Sequence, residues 1–196
     1  MDSIKDYLEK LEIKNSRLER QLKEVEVSKV VYFKEDRIFY MYLISKDIIS
    51  HEILDELREE LLGKLKYFKN IRLKIKFNGF GRKSEKDIVK AYWHNILYIL
   101  KKICPAIEGW KKQVEYMCLD NTLKIKIPKD IFYEKLKKNN IEEVVRNVLL
   151  EELEIDYEVK VEKAITEKID RKKIMEKTDK EIEELIKEME FEVVSE

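Results

Sequence analysis

Glycine and proline are nearly missing from this sequence, with four and two among 196 residues. Turn-rich all-β chains need glycine, and disordered chains are rich in proline, so the scarcity excludes both classes. Cysteine is as scarce. Cys104 and Cys118 lie fourteen apart without a CxxC, which reads as reduced thiols of an intracellular protein. No signal peptide opens the chain, and no apolar run approaches the ~18 residues a spanning helix needs, so no membrane partner is expected.

Histidine is the next shortage. Neither His51 nor His94 has a metal-ligating companion at i+4. His51 falls in the first turn of a helix and reads as solvated. His94 falls off the apolar stripe of its helix and is expected at a partly exposed site. No P-loop, GxGxxG, HExxH, nucleophile elbow or zinc-type Cys/His spacing is present. No catalytic residue, metal ligand or cofactor is therefore assigned, and the chain is not expected to be an enzyme by itself.

Charge is what the chain has in quantity. Charged residues make up 42% and apolar ones 44%, enough for a core beneath a heavily charged surface. The net charge is zero but unevenly placed. Residues 1–84 hold 19 basic and 15 acidic groups, residues 85–140 hold 12 and 7, and residues 141–196 hold 10 and 19. A basic front and an acidic rear fit two different partners or two solvated faces.

Along the chain, Ile4, Leu8 and Leu11 predict a short helix over 2–13, capped by Ser3 or Asp2. Period-two segments flank Lys34-Glu35-Asp36-Arg37 and predict a hairpin from Val25 to Ile44. One of its faces is read as Val25, Val27, Val30, Tyr32, Ile38, Tyr40, Tyr42 and Ile44. The other carries Val31, Phe33, Phe39, Met41 and Leu43. Ser50 then caps a helix whose stripe is Ile53, Leu57, Leu61, Leu65 and Phe68. A strand with one basic face follows at Ile71–Phe77. The first unit, 1–78, is thus αββαβ, and the glycine-bearing stretch 79–84 reads as a linker.

The second unit, 85–165, opens on a helix with Ile88, Val89, Tyr92, Trp93, Ile96, Ile99, Leu100 and Ile103 on one face. Pro105 starts a second helix carrying Ile107, Trp110 and Val114. After the turn pair Asp120-Asn121, Leu123, Ile125 and Ile127 alternate with lysines as a half-buried strand. Helices from Asp130 to Lys138 and from Ile141 to Leu153 precede a last strand at Tyr157, Val159 and Val161. The order is ααβααβ, with room for an extra strand at Tyr116–Leu119, and it suits a KH-like α+β domain. Residues 166–196 read as a charged helical connector with a capping box at Thr178-x-x-Glu181, and the chain's end without a finished element fits a segment of a longer protein.

The run Ile88-Val89-x-x-Tyr92-Trp93, then Pro105, a polar turn, a strand and Pro128-Lys129-Asp130-Ile131-Phe132, carries a resemblance. It is similar to the second N-terminal domain of the PolC-type DNA polymerase III α subunit. More distantly it resembles the C-terminal domain of the clamp-loader subunit tau and domain I of the initiator DnaA. The resemblance implies a non-catalytic region of a replicative DNA polymerase, whose exonuclease and polymerase parts follow it. It also implies a protein-interaction role in docking that polymerase to the replisome, through tau or another replisome protein.

Candidate partner contacts are Trp110, Ile107, Tyr98 and His94, while Trp93 reads as core. The alternative is weak, sequence-independent binding of single-stranded DNA. Its residues would be Arg72, Lys74 and Lys76 on one strand face, Lys124 and Lys126 on another, and Lys129, Lys137 and Lys138 nearby. The missing GxxG clamp of nucleic-acid-binding KH domains speaks against that alternative.

Overall fold

The computed structural model describes residues 2–164. They hold two sheets and seven helices, an α+β arrangement, while the proposed connector helix lies outside the described residues. The first sheet runs in the order β1-β2-β3-β4, with β1 at Asp2–Ser3, β2 at Val25–Phe33, β3 at Ile38–Ser45 and β4 at Asn70–Phe77. Neighbours β1/β2 and β2/β3 are antiparallel, and β3/β4 are parallel.

Helix α1 spans Ile4–Lys10 and starts with a capping box, Ser3 accepting from Lys5 N–H and Asp6 accepting from Ser3 N–H. Helix α2, Ser16–Gln21, is capped by the Asn15 side chain. The sequence reading missed both α2 and β1. Six and two residues are too short to show a period, and α2 offers the core only Leu18. The crossover between β3 and β4 is α3, His51–Lys64, which Ser50 caps as predicted and which buries Ile53, Leu54, Leu57 and Leu61. The observed order of this part is therefore βααββαβ, a correction to αββαβ.

A bulge between Val27 and Lys29 also corrects the hairpin's faces. Past it, Val30 stands opposite Met41 and Tyr32 opposite Phe39, so the face turned toward the helices is Val25, Val27 and Val30 with Met41 and Leu43, and of these only Val30 is left exposed. Tyr40, Tyr42 and Ile44 take the other face. The odd spacing from Val27 to Val30 was the sequence trace of that extra residue.

Helix α4 spans Glu85–Ile103 and is capped by Ser84. The predicted second helix is a 3-10 helix, Pro105–Gln113, with Pro105 in its first turn. Its Ile107 and Trp110 sit three apart, matching about three residues per turn. The extra strand is present as β5, Glu115–Leu119, and turns through Asp120 and Asn121, both at positive φ, into β6, Thr122–Ile127. That pair of left-handed residues suits a two-residue hairpin. Helices α5, Asp130–Lys138, and α6, Ile141–Leu153, lead to β7, Glu158–Lys163, which lies parallel to β6. The second sheet, β5-β6-β7, turns Leu123, Ile125, Ile127, Val159 and Val161 toward the helices.

One core runs through both halves. Helix α6 contacts β4 as well as β7, and α3 contacts α4. At the connection, Gly79 passes Lys46 so closely that a Cβ would lie 2.0 Å from the Lys46 carbonyl oxygen.

Candidate functional site

The periodicity of α4 sets the site. His94, Leu97, Tyr98 and Lys101 recur at three- and four-residue spacing and form one helix face beside the start of α3. With Ser50, Glu52, Ile107, Glu108 and Lys111 they line an open cleft of about 340 Å³. The structure thus brings together three of the four predicted partner contacts. They differ in access. His94 is exposed, its Nδ1 3.1 Å from the Ala91 carbonyl, and Tyr98 is half-buried. Ile107, at 1% exposure, is a core residue that only floors the cleft, which corrects its reading as a surface contact.

Trp110 does not line the cleft. It is half-buried on the 3-10 helix, edge-on to Phe132 at 6.3 Å, with the Lys129 ammonium 4.4 Å from its ring centroid. That is cation–π geometry over the best aromatic face for it. Trp93, expected in the core, is half-buried at its margin and packs on Tyr116 at 4.3 Å between centroids.

Ion pairs rim the cleft. Glu108 accepts from Lys111 at 2.6 Å and pairs with Lys101 at 3.2 Å, and those two contacts hold its carboxyl below the usual range. Tyr98 donates to Asp55 of α3 at 2.6 Å. Burial, then the Asp55 bond, pushes the Tyr98 hydroxyl up to about 12. Burial acts to raise Asp55, yet its contacts with Lys102 and Tyr98 outweigh that and leave it below the usual value. The cleft wall is thereby tied to the first half of the chain.

Behind the wall lies a polar joint that the sequence reading missed. Tyr92, fully buried, donates to Glu152 of α6 at 2.6 Å, and its oxygen lies 2.8 Å from His51 Nε2. His51 Nε2 is also 2.9 Å from Glu152, and both side chains are 15% exposed, so the solvated reading of His51 is corrected. Asn95, buried one turn on, receives from His51 N–H and donates to the Ile49 carbonyl. Burial, then the Glu152 charge, raises the Tyr92 hydroxyl above its ordinary value. A polar pair, Tyr92 and Asn95, on the apolar face of α4 was the available signal, since buried polar groups need partners.

The predicted nucleic-acid residues are mostly engaged within the chain. Lys74 pairs with Glu151 in the last turn of α6 and Lys76 with Glu154 at its C-cap. Arg72 donates to the Tyr40 hydroxyl at 3.0 Å and lies over its ring. Lys124 pairs with Glu162 at 3.2 Å and Lys137 with Glu142 at 2.7 Å. Lys129 covers Trp110, while Lys126 and Lys138 make no ion pair among the described residues. The two basic strand faces, on β4 and β6, belong to different sheets.

Among the described residues, no group of three or more His, Cys, Asp or Glu is placed to hold a metal ion. No described helix is long and apolar enough to cross a membrane. No curated protein matches the chain. Two family models do: DNA polymerase III polC-type N-terminus I over residues 3–75, and DNA polymerase III polC-type N-terminus II over residues 91–193. The chain therefore belongs to the PolC-type DNA polymerase III family and carries its non-catalytic N-terminal region.

Proposed function

We propose that this region is a protein-interaction module that docks the polymerase to the replisome, with the clamp-loader subunit tau as the partner. Its surface would be the α4 cleft at His94 and Tyr98 together with the neighbouring Trp110. The KH-like reading of the second half belongs to this proposal, since its β5-β6-β7 sheet carries helices on one face.

The observation that carries the choice of a protein partner is the state of the cations. Arg72, Lys74, Lys76, Lys124 and Lys137 are each held by a side chain of this chain. A phosphate backbone would have to displace the carboxylates that hold the four lysines and the Tyr40 hydroxyl that holds Arg72, and binding driven by released counterions needs cations that are free. Trp110, half-covered and next to an open cleft, is instead the kind of aromatic anchor that dominates protein interfaces.

Calorimetric titration of the chain with tau, at low and physiological salt, tests this. The expected result is saturable binding that largely survives salt, weakened about tenfold by Trp110→Ala or His94→Ala. Absence of both heat and co-elution refutes the docking. Micromolar binding of single-stranded DNA at physiological salt refutes the choice of partner class.

A further inference from the structure

The two edges of the first sheet are treated differently. The β4 edge faces α6, whose Glu151 reaches Lys74 and whose C-cap residue, Glu154, reaches Lys76. Among the described residues, the β2 edge is paired only where Asp2 and Ser3 meet Val27 and Glu26. Among the described residues no strand pairs with Lys29–Phe33 on the side away from β3. A free edge with apolar side chains is a template for one more strand.

This edge is apolar and has a groove beside it. Val30, Tyr32 and Phe33 are 36%, 60% and 50% exposed. On the helix side, Tyr7, Leu11, Val30, Phe39, Met41 and Leu65 line a cavity of about 290 Å³. The rim is cationic. Lys10 lies over Tyr7 at the cavity, and Arg37 lies over Tyr67 beyond it. Neither makes an ion pair among the described residues, and the same holds for Lys29 and Lys34 on the strand and turn, and for Lys64, Lys66 and Lys69 around Leu65 and Phe68. The acids nearest in sequence are Asp6, which caps α1, Glu9, paired with Lys5, Glu12, Glu26 opposite Ser3, and Glu35 and Asp36 at the hairpin tip, against seven cations around the groove and edge.

We infer that the β2 edge takes an extended segment of a partner protein, apolar on alternate residues and acidic between them, added as a strand in line with β1. Main-chain hydrogen bonds to Lys29–Phe33 supply the affinity, as in other strand additions, and alternate side chains reach the groove. The lysine and arginine rim selects acidic over basic segments. This surface does not rest on the α4 cleft, and the two can fail separately.

The test is a phage-displayed library of random peptides, about twelve residues long, selected on the whole chain, with winners resynthesised. Alternating apolar and acidic winners are expected, and their binding should protect the amides of residues 29–33 from hydrogen exchange. Tyr32→Glu should weaken them about tenfold and Lys10→Glu roughly threefold, with unchanged thermal melts, and Trp110→Ala should change nothing. An N-methylated winner that cannot donate along its backbone should no longer bind. Basic winners, no winners, protection elsewhere, or full binding by the N-methylated peptide would overturn the inference. So would self-association of the chain that protects 29–33 while peptides do not compete, which would make the occupant a second copy.

Discussion

Replacing Tyr92 by Phe removes one oxygen from the joint between the halves and leaves the ring in place. That oxygen donates to Glu152 at 2.6 Å and lies 2.8 Å from His51, on a side chain with no solvent exposure. A hydrogen bond to a charged group contributes about 1.5–3 kcal/mol. Glu152 keeps His51 at 2.9 Å in the variant, so a loss of about 2 kcal/mol is expected, toward the lower part of that range. For a chain of this size that is a fall in Tm of roughly 4–8 °C. Urea unfolding and calorimetry at neutral pH measure both.

The alkaline limb gives a second readout. Tyr92 has its pKa raised above the ordinary 10.0, so below pH 10 both folded and unfolded forms hold the proton and its stabilisation is complete. Above it the unfolded chain loses the proton while the folded chain keeps it, and stability falls by about 1.4 kcal/mol per pH unit from this group. Tyr92→Phe should flatten the limb by that amount. A variant within about 0.5 kcal/mol of the parent, the range of an ordinary surface change, or with a parallel alkaline limb, refutes the assigned role.

Gly79→Ala should cost about 1–3 kcal/mol in urea unfolding, because the new methyl meets the Lys46 backbone and neither side is a flexible tip. Gly63→Ala, within α3 and with nothing near its added Cβ, should instead stabilise by about 0.5–1 kcal/mol. Asp55→Asn should lower stability by about 1 kcal/mol at neutral pH, since the half-exposed carboxylate loses its charge-assisted contacts with Lys102 and Tyr98. The depressed carboxyl stabilises above its unfolded value and loses that contribution as pH falls through the folded one, so the gap to the parent should close below about pH 4.

The legible parts of the fold were those whose signals are local. The stripe from Ile88 to Leu100, the alternation of Leu123, Ile125 and Ile127, and the bounds of α5 and α6 all follow from period alone. Asp120-Asn121 gave the hairpin turn for the same reason. What the sequence could not show is set by partners far along the chain. His51, Tyr92 and Glu152 are 41 and 60 residues apart in turn, and no pattern joins them. Lys74 and Lys76 have strand spacing while Glu151 and Glu154 have helical spacing, so only packing reveals that the rows meet. The β4 lysine stripe therefore looked open for nucleic acid although acids of the same chain occupy it. In the cleft, the spacing of His94 and Tyr98 was legible, but the burial of Ile107 beneath them was not.

The pairing of β4 with α6 also sets a timetable for synthesis. Phe77 ends β4, and Glu154, whose carboxylate meets Lys76, is made 77 residues later. At about 5–20 residues per second the ribosome needs roughly 4–15 s to cover that distance. For that interval the β4 edge of the nascent first sheet stays uncovered, and His51 waits for Glu152 after Tyr92 has already been made. A chain with so many lysines on β4 and around β2 keeps the edges of those two strands apart by like charge during the wait.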